Sequence, residues 1–128
     1  MVPKSTLGNW ISEFNRFCPS LRTFRFHGTK EERSELLERV KMKERDWDVL
    51  ITTYEMAVIE KGSLSKIEWK YNEWKCFVMN RYLIIDEAHR IKNEDSKLST
   101  TLRKFNVENR LLLTGTPLQV RYVLIDSI

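Results

Sequence analysis

Four short stretches suited to β-strands alternate along this chain with stretches patterned for helices, and that alternation restricts the possible folds more than any other feature. Thr23-Phe24-Arg25-Phe26 alternates apolar and polar residues, and Gly28 follows as a stop. Asp48–Thr52, Arg81–Ile85 and Arg110–Leu113 carry continuous apolar runs. Such runs suit strands buried on both faces, as in a parallel sheet covered by helices. The expected fold is therefore α/β, with a parallel sheet and helices on both of its faces.

The helical stretches between the strands have recognisable starts and stops. Ser5-Thr6 stands ahead of Leu7, Trp10, Ile11, Phe14 and Phe17, which share one helical face, and Pro19 ends the run. Thr29-Lys30-Glu31-Glu32 has the spacing of a capping box, and Leu36, Leu37 and Val40 give the helix behind it an apolar face. Its acids come early and its bases late, as the helix dipole favours. Tyr54–Lys61 reads as a helix with Gly62 as its stop, and Asn93 reads as the cap of a helix whose face is Leu98, Leu102 and Phe105. Residues 63–80, which hold Trp69 and Trp74, have the poorest periodicity.

At 128 residues the chain is expected to form one domain, and its 41% hydrophobic and 31% charged residues suit a soluble globular protein. No apolar run approaches the ~20 residues of a membrane span, and no signal peptide is visible behind Met1-Val2-Pro3-Lys4. Cys18 and Cys76 lie far apart without metal-binding spacing and read as reduced thiols of an intracellular protein. The net charge of +4 permits contact with a polyanion without requiring it.

Chemistry concentrates at the ends of the apolar runs. In open α/β sheets, ligands bind at the carboxyl ends of the strands. Asp86 and Glu87 occupy such an end, directly after Tyr82-Leu83-Ile84-Ile85. Two adjacent carboxylates there suit hydrolysis of a nucleoside triphosphate, one holding Mg²⁺ and the other near the attacking water. His89 lies three residues past Asp86, and Thr114-Gly115-Thr116-Pro117 follows Leu111-Leu112-Leu113. Taken alone, the first is an ordinary loop histidine and the second an ordinary strand-to-loop turn. Lys4-Ser5-Thr6 offers a cation, two hydroxyls and the first N–H groups of a helix, a corner able to take phosphate or simply to cap. Thr52-Thr53 is a similar, weaker corner, and the bases between Lys30 and Arg45 are interspersed with acids like a solvated helix face.

Four segments in fixed order, Pro-Lys-Ser-Thr-Leu, Ile-Thr-Thr-Tyr-Glu-Met, Asp-Glu-Ala-His and Thr-Gly-Thr-Pro-Leu-Gln, resemble the first motor lobe of the Swi/Snf-type chromatin-remodelling ATPases of helicase superfamily two. Asp-Glu-Ala-His-Arg-Ile-Lys-Asn with Leu-Leu-Leu-Thr-Gly-Thr-Pro-Leu-Gln looks most like the imitation-switch subfamily. RNA helicases with the same acidic box usually carry Ser-Ala-Thr where this chain has Thr-Gly-Thr-Pro.

The resemblance implies a RecA-like lobe, nuclear location, ATP and Mg²⁺ as cofactors, and translocation on DNA wrapped in nucleosomes, in company with a second motor lobe and accessory subunits. It implies that Asp86 binds Mg²⁺, that Glu87 orients or deprotonates the attacking water, and that His89 couples the ATP state to Thr114, Gly115 and Thr116. It also implies contacts to the DNA backbone from Lys4, Ser5 and Thr6 and from Thr52 and Thr53. Such contacts are independent of base sequence and sensitive to salt.

The chain departs from that pattern in three places. Gly-x-x-x-x-Gly-Lys-Ser/Thr, the loop that cradles phosphates, does not occur in the 128 residues; the family places it upstream of Pro3. Residues 71–80 interrupt the join between Trp69-Lys70-Tyr71 and Arg81-Tyr82 and read as an insertion. Residues 120–128 do not continue the family pattern, so the expected lobe is 1–119, as a fragment. The competing expectation is a catalytically dead fragment that binds DNA or protein weakly. An unrelated α/β hydrolase finds no Ser or Cys nucleophile elbow.

Overall fold

The computed structural model describes residues 1–42, 46–67, 82–91 and 97–115. A 3₁₀ turn at Lys4–Thr6 leads into α1 (Leu7–Phe17), followed by β1 (Thr23–Phe26), α2 (Lys30–Lys41), β2 (Val49–Thr52), α3 (Tyr54–Ile59) and α4 (Lys61–Leu64). Then come β3 (Tyr82–Ile85), a 3₁₀ turn at Ala88–Ile91, α5 (Lys97–Arg103) and β4 (Asn109–Leu112). All four expected strands form, with β4 one residue earlier than its apolar run suggests.

The strands pair in parallel, β1 with β2 (Phe24 opposite Leu50) and β3 with β4 (Ile84 opposite Leu111). The chain start joins the two pairs. Val2 bridges Thr53 in parallel and its N–H donates to Thr52 O at 2.9 Å. On the other side, Asp86 N–H donates to Met1 O at 2.9 Å, and the Met1 ammonium donates to Ile84 O. Met1-Val2 thus lies between the ends of β2 and β3, and the lateral order is β1, β2, Met1-Val2, β3, β4.

Side-chain alternation then sorts the core. Phe24, Phe26, Leu83 and Ile85 enter the larger cluster with Val40, Leu64, Leu102 and Phe105. Val49 and Ile51 face the other way and pack with Val2, Leu7, Trp10, Ile11 and Phe14. The β1–β2 pair therefore carries α1 on one face and α2 on the other, as expected. The second pair is barer: Tyr82, Ile84, Leu111 and Leu112 are exposed. Leu111 and Leu112, on β4, are the apolar residues that this pair leaves most open besides Tyr82.

The capping box of α2 forms as read. Thr29 Oγ1 accepts from Glu32 N–H at 3.3 Å, and Glu32 Oε2 accepts from Thr29 N–H at 2.7 Å. Three local readings are corrected. Thr6 does not cap α1 with its hydroxyl, which donates instead to Pro3 O at 3.2 Å within the 3₁₀ turn. Phe17 is 67% exposed and does not join Trp10, Ile11 and Phe14 in the packing of α1. Gly62 does not stop a helix: the break comes at Glu60, and Gly62 lies inside α4. Asn93, Cys76, Trp69, Trp74, the interruption at 71–80 and the tail at 120–128 lie outside the described residues. No helix among the described residues is long and apolar enough to cross a membrane.

Candidate functional site

The parallel pairing of β3 with β4 brings the acidic segment and the Thr114-Gly115 segment to the same sheet end. Leu113 N–H donates to Ile85 O at 2.8 Å, and Ala88 N–H donates back to Leu113 O at 2.8 Å. Those two bonds hold the loops together just beyond the strands. A methyl placed on Gly115 would lie 3.8 Å from Glu87 Oε1, so Gly115 sits beside the second carboxylate. Thr116 lies outside the described residues.

Asp86 is held from four directions. Its Oδ1 accepts from Glu87 N–H at 2.9 Å, and its Oδ2 accepts from the Trp10 indole N–H at 2.8 Å. Its main-chain N–H goes to Met1 O, and its main-chain oxygen accepts from the Tyr54 hydroxyl. Glu87 adopts a left-handed backbone with φ of 50°. For a residue with a Cβ that conformation costs ~1 kcal/mol and persists only where surrounding bonds enforce it. The turn directs Glu87 toward His89, whose Nδ1 lies 3.0 Å from Glu87 Oε2, with both side chains partly open to solvent.

The donor set fits Mg²⁺. Each Asp86 oxygen carries one protein hydrogen bond and retains acceptor capacity. Among the described residues no cluster of three or more His, Cys, Asp or Glu could hold a metal ion. A single carboxylate suits Mg²⁺, which keeps waters and binds substrate phosphates rather than a cage of protein ligands. Nearby, burial pushes the Met1 amine down to about 6, partly opposed by the negative charge of Asp86.

The two candidate nucleic-acid corners differ. Lys4 and Ser5 are exposed and Thr6 is half-buried, on a surface turn one helical turn before Trp10. Thr52 and Thr53 are buried, with their hydroxyls used inside the fold: Thr52 Oγ1 donates to Phe26 O at 2.8 Å, and Thr53 Oγ1 accepts from Met56 N–H at 3.4 Å. The second corner therefore offers its shape rather than those hydroxyls. Sequence reasoning missed Trp10, Tyr54 and Met1 as parts of the site. Trp10 reads as an apolar helix-face residue and Tyr54 as the start of a helix; the one available signal is that a buried indole or phenol needs a polar partner.

A family model described as SNF2-related domain matches residues 1–123. The human protein "SWI/SNF-related matrix-associated actin-dependent regulator of chromatin subfamily A member 1" is 52% identical over 119 residues, which are 93% of this chain and 10% of that protein. "ISWI chromatin-remodeling complex ATPase ISW1" of Saccharomyces cerevisiae is 50% identical over the same share of each. The chain thus spans about a tenth of the length of these curated relatives. The structure titled "Sulfolobus solfataricus SWI2/SNF2 ATPase core in complex with dsDNA" superposes with a TM-score of 0.67 at 34% identity, covering 91% of this chain and 20% of that one. The α/β fold read from the strand pattern is therefore RecA-like, as in that ATPase core.

Proposed function

The chain belongs to the SNF2-related domain family, and on that premise we propose that residues 1–119 are a portion of the first motor lobe of an ATP-dependent chromatin remodeller, closest in kind to the imitation-switch group. The lobe serves DNA-stimulated ATP hydrolysis and translocation on nucleosomal DNA in the nucleus, together with a second motor lobe and accessory subunits. The observation that carries this reading is the pair Asp86-Glu87 at the carboxyl end of β3, held beside Gly115 by the β3–β4 pairing.

In that role Asp86 would hold Mg²⁺, which would neutralise charge on the phosphates of ATP. Glu87, on its left-handed turn, orients the attacking water or accepts its proton at a carboxylate oxygen. His89, beside Glu87, hands the state of that corner to Thr114, Gly115 and Thr116. Lys4, Ser5 and Thr6 take the DNA backbone, and Thr52-Thr53 shapes the second contact.

The 128 residues contain no phosphate-cradling Gly-x-x-x-x-Gly-Lys-Ser/Thr. By themselves they are therefore expected to turn over no ATP, with or without DNA. Steady-state phosphate release checks this, and turnover that disappears in Glu87→Gln would overturn it. DNA contact is a separate expectation. Lys4→Glu should weaken binding to a duplex of any sequence and lower the salt slope of log K by about 1, the loss of one phosphate contact. Fluorescence anisotropy at a series of salt concentrations reads both; an unchanged affinity and slope rejects the placement of Lys4.

A further inference from the structure

Asp86 receives a hydrogen bond from each of the two helices that start at the candidate DNA corners. The 3₁₀ turn Lys4–Thr6 runs straight into α1, and Trp10, in the first turns of that helix, donates its indole N–H to Asp86 Oδ2 at 2.8 Å. Thr53 is the N-cap of α3, and the next residue, Tyr54, donates its hydroxyl to the main-chain oxygen of Asp86. The first of these contacts joins residues 76 apart in sequence. The backbone adds a parallel tie, since Met1 O, three residues before Lys4, accepts from Asp86 N–H.

The two side-chain bonds divide the work. The Tyr54 bond goes to the backbone and fixes where Asp86 sits. The Trp10 bond goes to the carboxylate and fixes how it is turned. A hydrogen bond to an ionised acceptor is about twice as strong as one between neutral groups. The indole also has little freedom to rotate: it packs with Val2, Leu7 and Ile51 and lies 6.2 Å from the Phe14 ring. A shift of α1 at its Lys4–Thr6 end therefore moves the donor that orients Asp86. The other carboxylate oxygen accepts from Glu87 N–H, so reorienting the carboxylate also pulls on the turn that carries Glu87 toward His89.

We propose that Trp10 is a positioning residue that relays phosphate-backbone contact at Lys4–Thr6 to the Asp86 carboxylate and, through Glu87, to His89. This rests on the DNA-binding reading above, and the experiment separates the two.

The chain has two histidines, His27 and His89, so its ring Hε1 spectrum holds two signals. His27 precedes Gly28 beyond β1 and serves as the internal reference. At fixed pH, adding a random-sequence duplex to the wild-type chain should move the His89 signal and leave that of His27 in place. Trp10→Phe keeps an aromatic ring in the α1 cluster and removes the donor. It should still bind the duplex at Lys4, while the His89 signal stays within its line width. A purely structural Trp10 would not produce that split.

Should Trp10→Phe fail to fold, Asp86→Ala removes the acceptor from the other end of the same bond and should give the same uncoupling. Duplex binding with an unmoved His89 in the wild type, or a full His89 shift in a folded variant, overturns the relay and leaves the DNA reading standing. Absence of any duplex binding overturns the DNA reading, and the relay falls with it.

Discussion

Phe26→Ala is expected to cost about 3–5 kcal/mol, the range for removing a fully buried aromatic side chain from a core that relaxes only partly. Phe26 has no exposed surface and is among the largest fully buried side chains. It sits at the end of β1, opposite Thr52, and its carbonyl takes the Thr52 hydroxyl at 2.8 Å. Thr52 in turn accepts from Val2 N–H through its own carbonyl. The cavity would thus open beside the row that runs from β1 through β2 to the chain start and on to Asp86. A domain of this size has only ~5–15 kcal/mol of total stability, so the variant should lose a large share of it. Urea unfolding followed by far-UV circular dichroism checks this; a loss below ~1 kcal/mol would mean that Phe26 is not a keystone of the larger cluster.

The second large effect depends on pH and comes from the Met1 amine. Unfolded, the amine titrates near its ordinary 8.0; in the fold, burial pushes it down to about 6. Between those values the unfolded chain binds the extra proton, so protonation favours unfolding. The destabilisation is complete below pH 6, fades as pH rises from 6 to 8, and is absent above 8. That difference corresponds to roughly 2.7 kcal/mol, and residual access to water reduces it to about 2 kcal/mol. N-terminal acetylation keeps an N–H for Ile84 O and removes the charge, so the acetylated chain should lack this rise. The comparison is the difference between acetylated and free chains in denaturant midpoint at pH 5.5 and pH 8.5, which cancels contributions common to both chains. Identical pH profiles would place the amine in solvent.

How much of this was legible in the sequence depended on whether a signal was local. The capping box at Thr29–Glu32 is written within four residues, and it forms as read. The strands announce themselves by composition, and Asp86-Glu87 by its position after one of them. The cap at Thr6 misled because a 3₁₀ turn satisfies the same hydroxyl with Pro3 O. The Thr52 and Thr53 hydroxyls looked available because sequence does not say which strand-end polar groups the fold uses itself. The bond between Trp10 and Asp86 leaves no periodic trace at all. It exists because a helix near the start of the chain and a strand far along it meet across Met1-Val2.

That meeting also sets an order of assembly. β1 and β2 lie within the first 52 residues and can pair as soon as both are available. The bond from Met1 to Ile84 closes a separation of 83 residues, and it needs β3 to be in place. Contacts of such long range are slow to form, because loop closure must be paid in entropy before they contribute. During synthesis, the amino-terminal half should therefore spend time as a unit of β1, β2 and Met1-Val2 whose outer edge, Met1-Val2, still lacks β3 as its neighbour. The acidic corner should be among the last features of the domain to acquire its native shape.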